Sequence, residues 1–79
     1  MQTEEVFIGL GSNIGDSTTI IEQALTALEN ITQCSLRARS SLYRSEAVSD
    51  IPQDDYINAV AKIDTCLEPM ALLLELQAI

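Results

Sequence analysis

Histidine and tryptophan are both missing from this 79-residue sequence, and four basic residues face twelve acids. Without histidine, a histidine-based catalytic triad is excluded. A zinc site is excluded as well, because the two cysteines, Cys34 and Cys66, are far apart and form no Cys-x-x-Cys pair. The net charge of −8 has the wrong sign for binding a phosphate backbone or an anionic membrane surface. We therefore expect neither nucleic acid nor membrane as a partner.

The shortage of basic residues also bears on nucleotide binding. Enzymes that transfer phosphoryl groups surround the triphosphate with cations, and here the cations are scattered along the chain. Asp54 and Asp55 are adjacent in sequence, so their side chains tend to diverge rather than converge on one metal ion. We expect no bound metal and no complete ATP site in this chain alone. The basic residues are Arg37, Arg39, Arg44 and Lys62.

Aromatic residues are few, so the core must be aliphatic. The sequence is 47% hydrophobic but has only Phe7, Tyr43 and Tyr56 as aromatics. A chain below roughly 80 residues forms one domain at most, and its core supplies only a few kcal/mol of net stability. The N-terminus is acidic where a signal peptide is basic, and no apolar run approaches the ~20 residues of a membrane span. These features predict a cytoplasmic protein with free cysteines.

Hydrophobic periodicity predicts a strand and then a helix in the first part of the chain. Residues 6–10 are continuously apolar, which is typical of a strand buried on both faces. Thr19 and Glu22 have capping-box spacing at the start of the helix, which is predicted to end near Asn30. The apolar face of this helix holds Ile21, Leu25 and Leu28.

Two further strands and a second helix follow. Residues 34–43 and 56–65 alternate with period two, and in the earlier of these strands Arg37 and Arg39 are predicted to share one solvated face. The loop between the strands, residues 45–55, is the first place to look for a ligand, since functional residues concentrate on long loops. Pro69 opens the helix. Its predicted apolar stripe is Leu72, Leu73, Leu76 and Ile79.

The predicted order is strand, helix, strand, strand, helix, which is a split βαβ arrangement lacking its usual last strand. That strand normally lies beside the first. We interpret residues 1–79 as one incomplete domain, a fragment of a longer protein. The first strand is then left with an unpaired apolar edge, and such edges recruit other chains. Self-association through the first strand is therefore expected.

Three stretches, in their order and spacing, resemble the 6-hydroxymethyl-7,8-dihydropterin pyrophosphokinase family. They are Gly-Leu-Gly-Ser-Asn-Ile-Gly-Asp at 9–16, Ser-Leu-Tyr-Arg-Ser-Glu at 41–46, and Asp-Tyr-Ile-Asn-Ala-Val at 55–60. The resemblance covers essentially the whole chain, about half of a family member. It implies a ferredoxin-like α+β fold without its final strand. It also implies a folate-pathway transferase that moves pyrophosphate from ATP, with Mg²⁺, to the hydroxymethyl group of a reduced pterin.

The same resemblance implies a set of site residues. Tyr56 and Asn58 lie two apart on one strand, so they point the same way and offer a flat ring beside an amide. Gln77 corresponds to a residue that approaches the nucleotide. The family's metal ligands and triphosphate-binding residues belong to its second half, so the chain alone is predicted to have no catalytic residue and no activity. The implied pterin contacts are Gly11, Ser45, Val48, Tyr56 and Asn58.

A different class of function stays open at this point. The alternative is a ferredoxin-like module that binds a ligand or a protein without catalysis. The motifs favour the enzyme and the length favours the module.

Overall fold

An antiparallel sheet carries two helices in this protein. The computed structural model describes residues 3–79, so the first two residues of the acidic N-terminus lie outside it. The predicted α+β class is confirmed, with one strand more than the predicted order. The elements are β1 (Glu4–Ser12), α1 (Ser17–Glu29), β2 (Cys34–Arg39), β3 (Tyr43–Ser45), β4 (Tyr56–Thr65) and α2 (Pro69–Gln77).

The longest strand, β4, is the centre of the sheet. β1 pairs with it along one side, from Glu4 opposite Thr65 to Ser12 opposite Ile57. β2 and β3 pair with its other side one after the other, and all these pairings are antiparallel. Within residues 3–79, no strand pairs with the outer edge of β1.

The core lies between α1 and β4, where sequence periodicity predicted it. The helix buries one apolar face, and alternate residues of β4 are buried against it because side chains of a strand alternate between faces. Neither helix is long and apolar enough to cross a membrane, as far as residues 3–79 are concerned. The buried core side chains on these two elements are Ile21, Leu25, Leu28, Ala59, Ala61 and Ile63.

β1 is buried on one face only, so the prediction of a strand buried on both faces is wrong. Val6, Ile8 and Leu10 are half-buried on the side of the helices, whereas Phe7 is 64% exposed on the other side. The described helices pack on a single face of the sheet. A continuously apolar sequence does not reveal this, because it supplies apolar side chains to both faces whether or not both are covered.

α1 begins three residues before the predicted start, because Asp16 rather than Thr19 caps it. Asp16 Oδ1 accepts a hydrogen bond from the Thr19 backbone N–H at 3.2 Å, and its Oδ2 accepts from the Thr19 hydroxyl at 2.8 Å. The predicted capping box of Thr19 and Glu22 is therefore wrong, although the predicted end near Asn30 is confirmed. The hydrogen bonds from Thr19 lower the pKa of Asp16.

The predicted strand at 34–43 is interrupted, so it forms two strands rather than one. The register shifts between Leu36 and Ala38, and regular pairing stops after Arg39. Because of the bulge, Arg37 reaches Asp64 on the open face at 2.6 Å, while Arg39 reaches α1 on the opposite face. The prediction that these two arginines share a face is wrong. β3 includes Ser45, the first residue of the predicted loop. The loop in the structure therefore runs from 46 to 55.

The second helix begins with Pro69, as predicted, but buries only part of its apolar stripe. Leu72 is buried and Leu76 is half-buried. Leu73 and Ile79, the other two members of the predicted apolar stripe, remain 45% and 49% exposed. Within residues 3–79, no strand or helix packs against the side of α2 that carries Leu73.

Candidate functional site

Strand pairing brings four of the predicted site residues together on the open face of the sheet. Asn58 on β4 lies opposite Gly11 on β1 and, on its other side, opposite Tyr43 on β3. Tyr56 lies opposite Ser45. Directly opposed residues of antiparallel strands share a face, so these side chains form one cluster. Tyr56 and Asn58 do share a face, as predicted, and both are half-buried.

The side-chain amide of Asn58 is held in one orientation by its neighbours. Its Nδ2 donates to Ser45 Oγ at 2.8 Å and to the Tyr43 carbonyl oxygen at 3.4 Å. These two bonds use both amide hydrogens. Among the hydrogen bonds within residues 3–79, none uses Asn58 Oδ1. That oxygen is therefore available to accept a hydrogen bond from a ligand N–H group.

The missing side chain of Gly11 keeps the space beside this oxygen open. A Cβ atom at Gly11 would lie 3.1 Å from Asn58 Oδ1 and 3.9 Å from Cδ1 of Tyr56. Positive φ is found at Gly15 but not at Gly11, so the requirement here is space rather than backbone conformation. A flat molecule can therefore approach the backbone of β1 while contacting the amide.

Tyr43 belongs to the cluster, although it was not among the predicted site residues. Its carbonyl oxygen accepts from Asn58, and its side chain is 50% exposed on the open face. A second exposed ring therefore lies across the strand pair from the amide. The sequence contained a signal, because Tyr43 stands in the 41–46 motif two residues before Ser45, but the break in the predicted strand obscured its register.

Val48 and Gln77 are not brought into this cluster. Val48 is fully exposed in the loop at residues 46–55, and Gln77 is exposed in the last turn of α2. Within residues 3–79, no side-chain hydrogen bond ties either residue to Asn58 or Ser45. Their predicted roles stay predictions.

Asn13 fastens the 46–55 loop to the turn after β1. Its Nδ2 donates to Gln53 Oε1 at 3.3 Å and to the Asp54 carbonyl oxygen at 3.4 Å. Inside the loop, Ser49 Oγ accepts from Gln53 Nε2 at 3.0 Å and from the Ile51 backbone N–H at 3.1 Å. This loop joins β3 to β4, so Asn13 helps to fix the segment that borders the Asn58 cluster. The sequence indicated turn chemistry at Asn13 but not this long-range contact.

The charged residues do not fit a magnesium and ATP site. Most of the cations already face carboxylates, and in residues 3–79 no three acidic or thiol side chains are grouped so that they could hold a metal ion. The hydrogen bond to Arg39 lowers the pKa of Glu22, and the same bond raises the pKa of Arg39. The pairs are Arg37–Asp64 at 2.6 Å, Arg39–Glu22 at 2.8 Å and Lys62–Glu5 at 3.8 Å.

The fold and the cluster define a small α+β protein that presents an oriented amide and two tyrosine rings on the open face of an antiparallel sheet. The chain belongs to the 7,8-dihydro-6-hydroxymethylpterin-pyrophosphokinase (HPPK) family, whose model matches residues 7–79. The resemblance predicted from the three motifs is thereby confirmed.

Curated relatives point to the same family. The chain is 42% identical over 73 residues to the 2-amino-4-hydroxy-6-hydroxymethyldihydropteridine pyrophosphokinase of Haemophilus influenzae, covering 92% of this chain and 46% of that protein. It is 42% identical over 78 residues to the enzyme of the same name from Pseudomonas putida, covering 98% and 63%. The bifunctional protein FolKE of Lactococcus lactis subsp. cremoris is 36% identical over 92% of this chain and 20% of its own length. The chain thus spans about half the length of the first relative and less than two thirds of the second.

Proposed function

We propose that residues 1–79 form the N-terminal, pterin-binding half of a cytoplasmic pyrophosphokinase domain of folate biosynthesis. The whole enzyme would transfer pyrophosphate from ATP to 6-hydroxymethyl-7,8-dihydropterin with Mg²⁺. The observation that carries the proposal is the Asn58 amide, held by Ser45 with its oxygen free beside Gly11. The position of β4 between β1 and β2, which α1 connects, supports the ferredoxin-like assignment.

The cluster suits the chemistry of a pterin. The heterocycle is flat and carries N–H donors along its amide edge, and Asn58 Oδ1 is an acceptor with no competing donor in residues 3–79. The rings of Tyr56 and Tyr43 offer apolar surface for the heterocycle. We assign the backbone of Ser45 and Val48 to the rim of the site and Gln77 to the nucleotide, following the family pattern.

Pyrophosphate transfer requires groups that the described residues do not supply. It depends on positioning and on cations that neutralise charge developing on the phosphates. Arg37, Arg39 and Lys62 are already opposite carboxylates. We therefore assign the metal ligands and cationic clamps to the rest of the enzyme. The chain alone should bind pterin without releasing AMP.

Calorimetry with 6-hydroxymethyl-7,8-dihydropterin tests the binding site. Asn58→Ala removes the acceptor and should weaken affinity roughly 10- to 100-fold, because an unmade hydrogen bond in a site costs about 1–3 kcal/mol. Asn58→Asp keeps an acceptor that Ser45 can still orient through its hydroxyl, so it should lose less. Ser45→Ala leaves the Asn58 amide in place without the hydrogen bond that orients it. Its pterin affinity should lie between those of the parent and Asn58→Ala. An Asn58→Ala protein that binds like the parent would refute this assignment.

Pterin binding and AMP release, measured on the same protein, distinguish half of a pyrophosphokinase from a non-catalytic module. If the chain is half of a pyrophosphokinase, it binds the reduced pterin, and an AMP-release assay with Mg²⁺ and ATP stays at background. If it is instead a module that binds another protein or a different ligand, reduced pterin does not bind. Saturable AMP formation by the pure chain would show that the active site has been misplaced.

A further inference from the structure

The break between β2 and β3 contains one residue more than the part of β4 that it faces. Before the break, Arg39 lies opposite Ala61. After the break, Tyr43 lies opposite Asn58, so the β2–β3 side has advanced by four residues and β4 by three. An extra residue in one strand of an antiparallel pair is a β-bulge, and it re-aims the side chains that follow. The faces on which Tyr43 and Ser45 lie are therefore set at this break.

Without the extra residue, the candidate site would not assemble. If regular pairing continued beyond β2, Leu42 would lie opposite Asn58 and Tyr43 would turn towards the helices, because a shift of one residue moves every following side chain to the other face. In the structure, Leu42 packs against the core instead. On the open face, the Tyr43 carbonyl oxygen and the Ser45 hydroxyl accept hydrogen bonds from the Asn58 amide.

Ser40 holds the chain at the break through its side chain. Its backbone N–H donates to the Val60 carbonyl oxygen at 2.8 Å, and its Oγ accepts from the Val60 N–H, also at 2.8 Å. In a regular antiparallel pair, the Ser40 carbonyl oxygen would accept that second bond. Here the carbonyl accepts from Arg39 Nε at 3.3 Å, and the hydroxyl donates to the Ser41 carbonyl oxygen at 2.9 Å. The chain can therefore leave regular pairing without depriving a part-buried N–H of β4 of its acceptor.

We propose that Ser40 is a positioning residue for the candidate site. Its hydroxyl fixes the extra residue at the break and thereby keeps β3 in the register that orients the Asn58 amide. Within residues 3–79, the Ser40 side chain makes hydrogen bonds only to Val60 and Ser41, so it acts on Asn58 through the backbone of the paired strands. The part that concerns pterin rests on the proposed function, whereas the orientation of Asn58 can be measured without a ligand.

NMR spectroscopy of the ligand-free chain tests the geometry. Ser40→Ala removes the acceptor of the Val60 N–H, so this amide should exchange roughly tenfold faster, as expected for the loss of one hydrogen bond. The side-chain amide signals of Asn58 should move towards those of a free amide. Ser40→Thr keeps the hydroxyl and should restore both signals. Ser41→Ala makes the same change at the exposed neighbouring serine and should alter neither.

Calorimetry with 6-hydroxymethyl-7,8-dihydropterin tests the consequence for binding. Ser40→Ala should weaken the affinity roughly three- to tenfold, because the amide is present but less well oriented. Ser40→Thr should restore the affinity. Ile63→Val removes part of a fully buried side chain and lowers Tm without changing the break, so it should bind like the parent. This control separates the positioning of Asn58 from a general loss of stability.

Circular dichroism establishes that each variant is folded. If Ser40→Ala does not fold, Ser40→Thr and Ser40→Val decide the matter, because they have nearly the same shape and differ in the hydroxyl. Unfolding of both hydroxyl-free variants would overturn the proposal, since the hydroxyl would then support the whole sheet rather than the site.

The proposal is also overturned if the Asn58 signals are unchanged in Ser40→Ala, if Ser40→Thr fails to restore them, or if Ile63→Val weakens pterin binding as much as Ser40→Ala does. A parent chain that does not bind the reduced pterin would refute the proposed function instead. In that case the Asn58 signals alone decide whether Ser40 orients the amide.

Discussion

Replacing Gly11 with alanine, with Gly9→Ala as its matched control, isolates the space that the proposed site needs. Both glycines lie on β1 and face the open side, two residues apart, and neither has a positive φ. A Cβ at Gly9 would meet nothing within 4 Å. A Cβ at Gly11 would meet Asn58 Oδ1 at 3.1 Å, closer than the 3.4 Å at which ordinary contact begins. The added methyl group therefore meets no other atom at position 9 but crowds the Asn58 amide at position 11.

The magnitudes follow from these contacts. At a compatible position, Gly→Ala stabilises a protein by about 0.4–1 kcal/mol, because the unfolded chain loses freedom. Gly9→Ala should raise the free energy of unfolding by this amount. At Gly11 the Asn58 amide must shift by a few tenths of an ångström, which strains its 2.8 Å bond to Ser45. Losing that bond costs about 0.5–1.5 kcal/mol, so the gain should be cancelled or reversed.

Thermal unfolding and pterin calorimetry measure the two effects. A difference of about 1 kcal/mol corresponds to roughly 4–8 °C in Tm for a domain of this size, with Gly9→Ala the higher. Gly11→Ala should also weaken pterin binding by roughly tenfold, or 1.4 kcal/mol, because its methyl group occupies the approach to the amide. Equal Tm values together with equal affinities would refute the reasoning.

Three further predictions concern the core, the loop and pH. Leu28→Ala removes a fully buried side chain and should cost about 2–5 kcal/mol in urea unfolding, whereas Leu74→Ala, at a 61% exposed position, should change little. Asn13→Ala should speed amide exchange at Ile51 without a comparable loss of Tm; unchanged exchange would count against the loop contact. Glu22 has a pKa lowered from 4.5 in the folded chain, so its stabilisation is present above that pH and lost as pH falls through the lowered value. The stability difference between the parent and Glu22→Gln should therefore vanish in acid, and a constant difference would contradict it.

Local periodicity was sufficient to assign the packed faces of α1 and β4. The spacing of Ile21, Leu25 and Leu28 places them on one side of a helix whatever surrounds it, and alternation along residues 56–65 fixes which residues share a face. Pro69 marked the start of α2 because proline is favoured in the first turn. The three motifs also determined the family, since their order and spacing are read from the chain directly.

The tertiary structure alone decided how the strands are covered and registered. Residues 6–10 supply apolar side chains to both faces, and only the placement of the helices leaves Phe7 exposed. The bulge after Leu36 separates Arg37 from Arg39, and its position depends on pairing with β4, more than 20 residues away along the chain. The arrangement of the candidate site also depends on strand pairing. Asn58 was predictable as a residue type, but its orientation comes from β3 on one side and β1 on the other, because backbone pairing over long separations determines which neighbours a side chain meets.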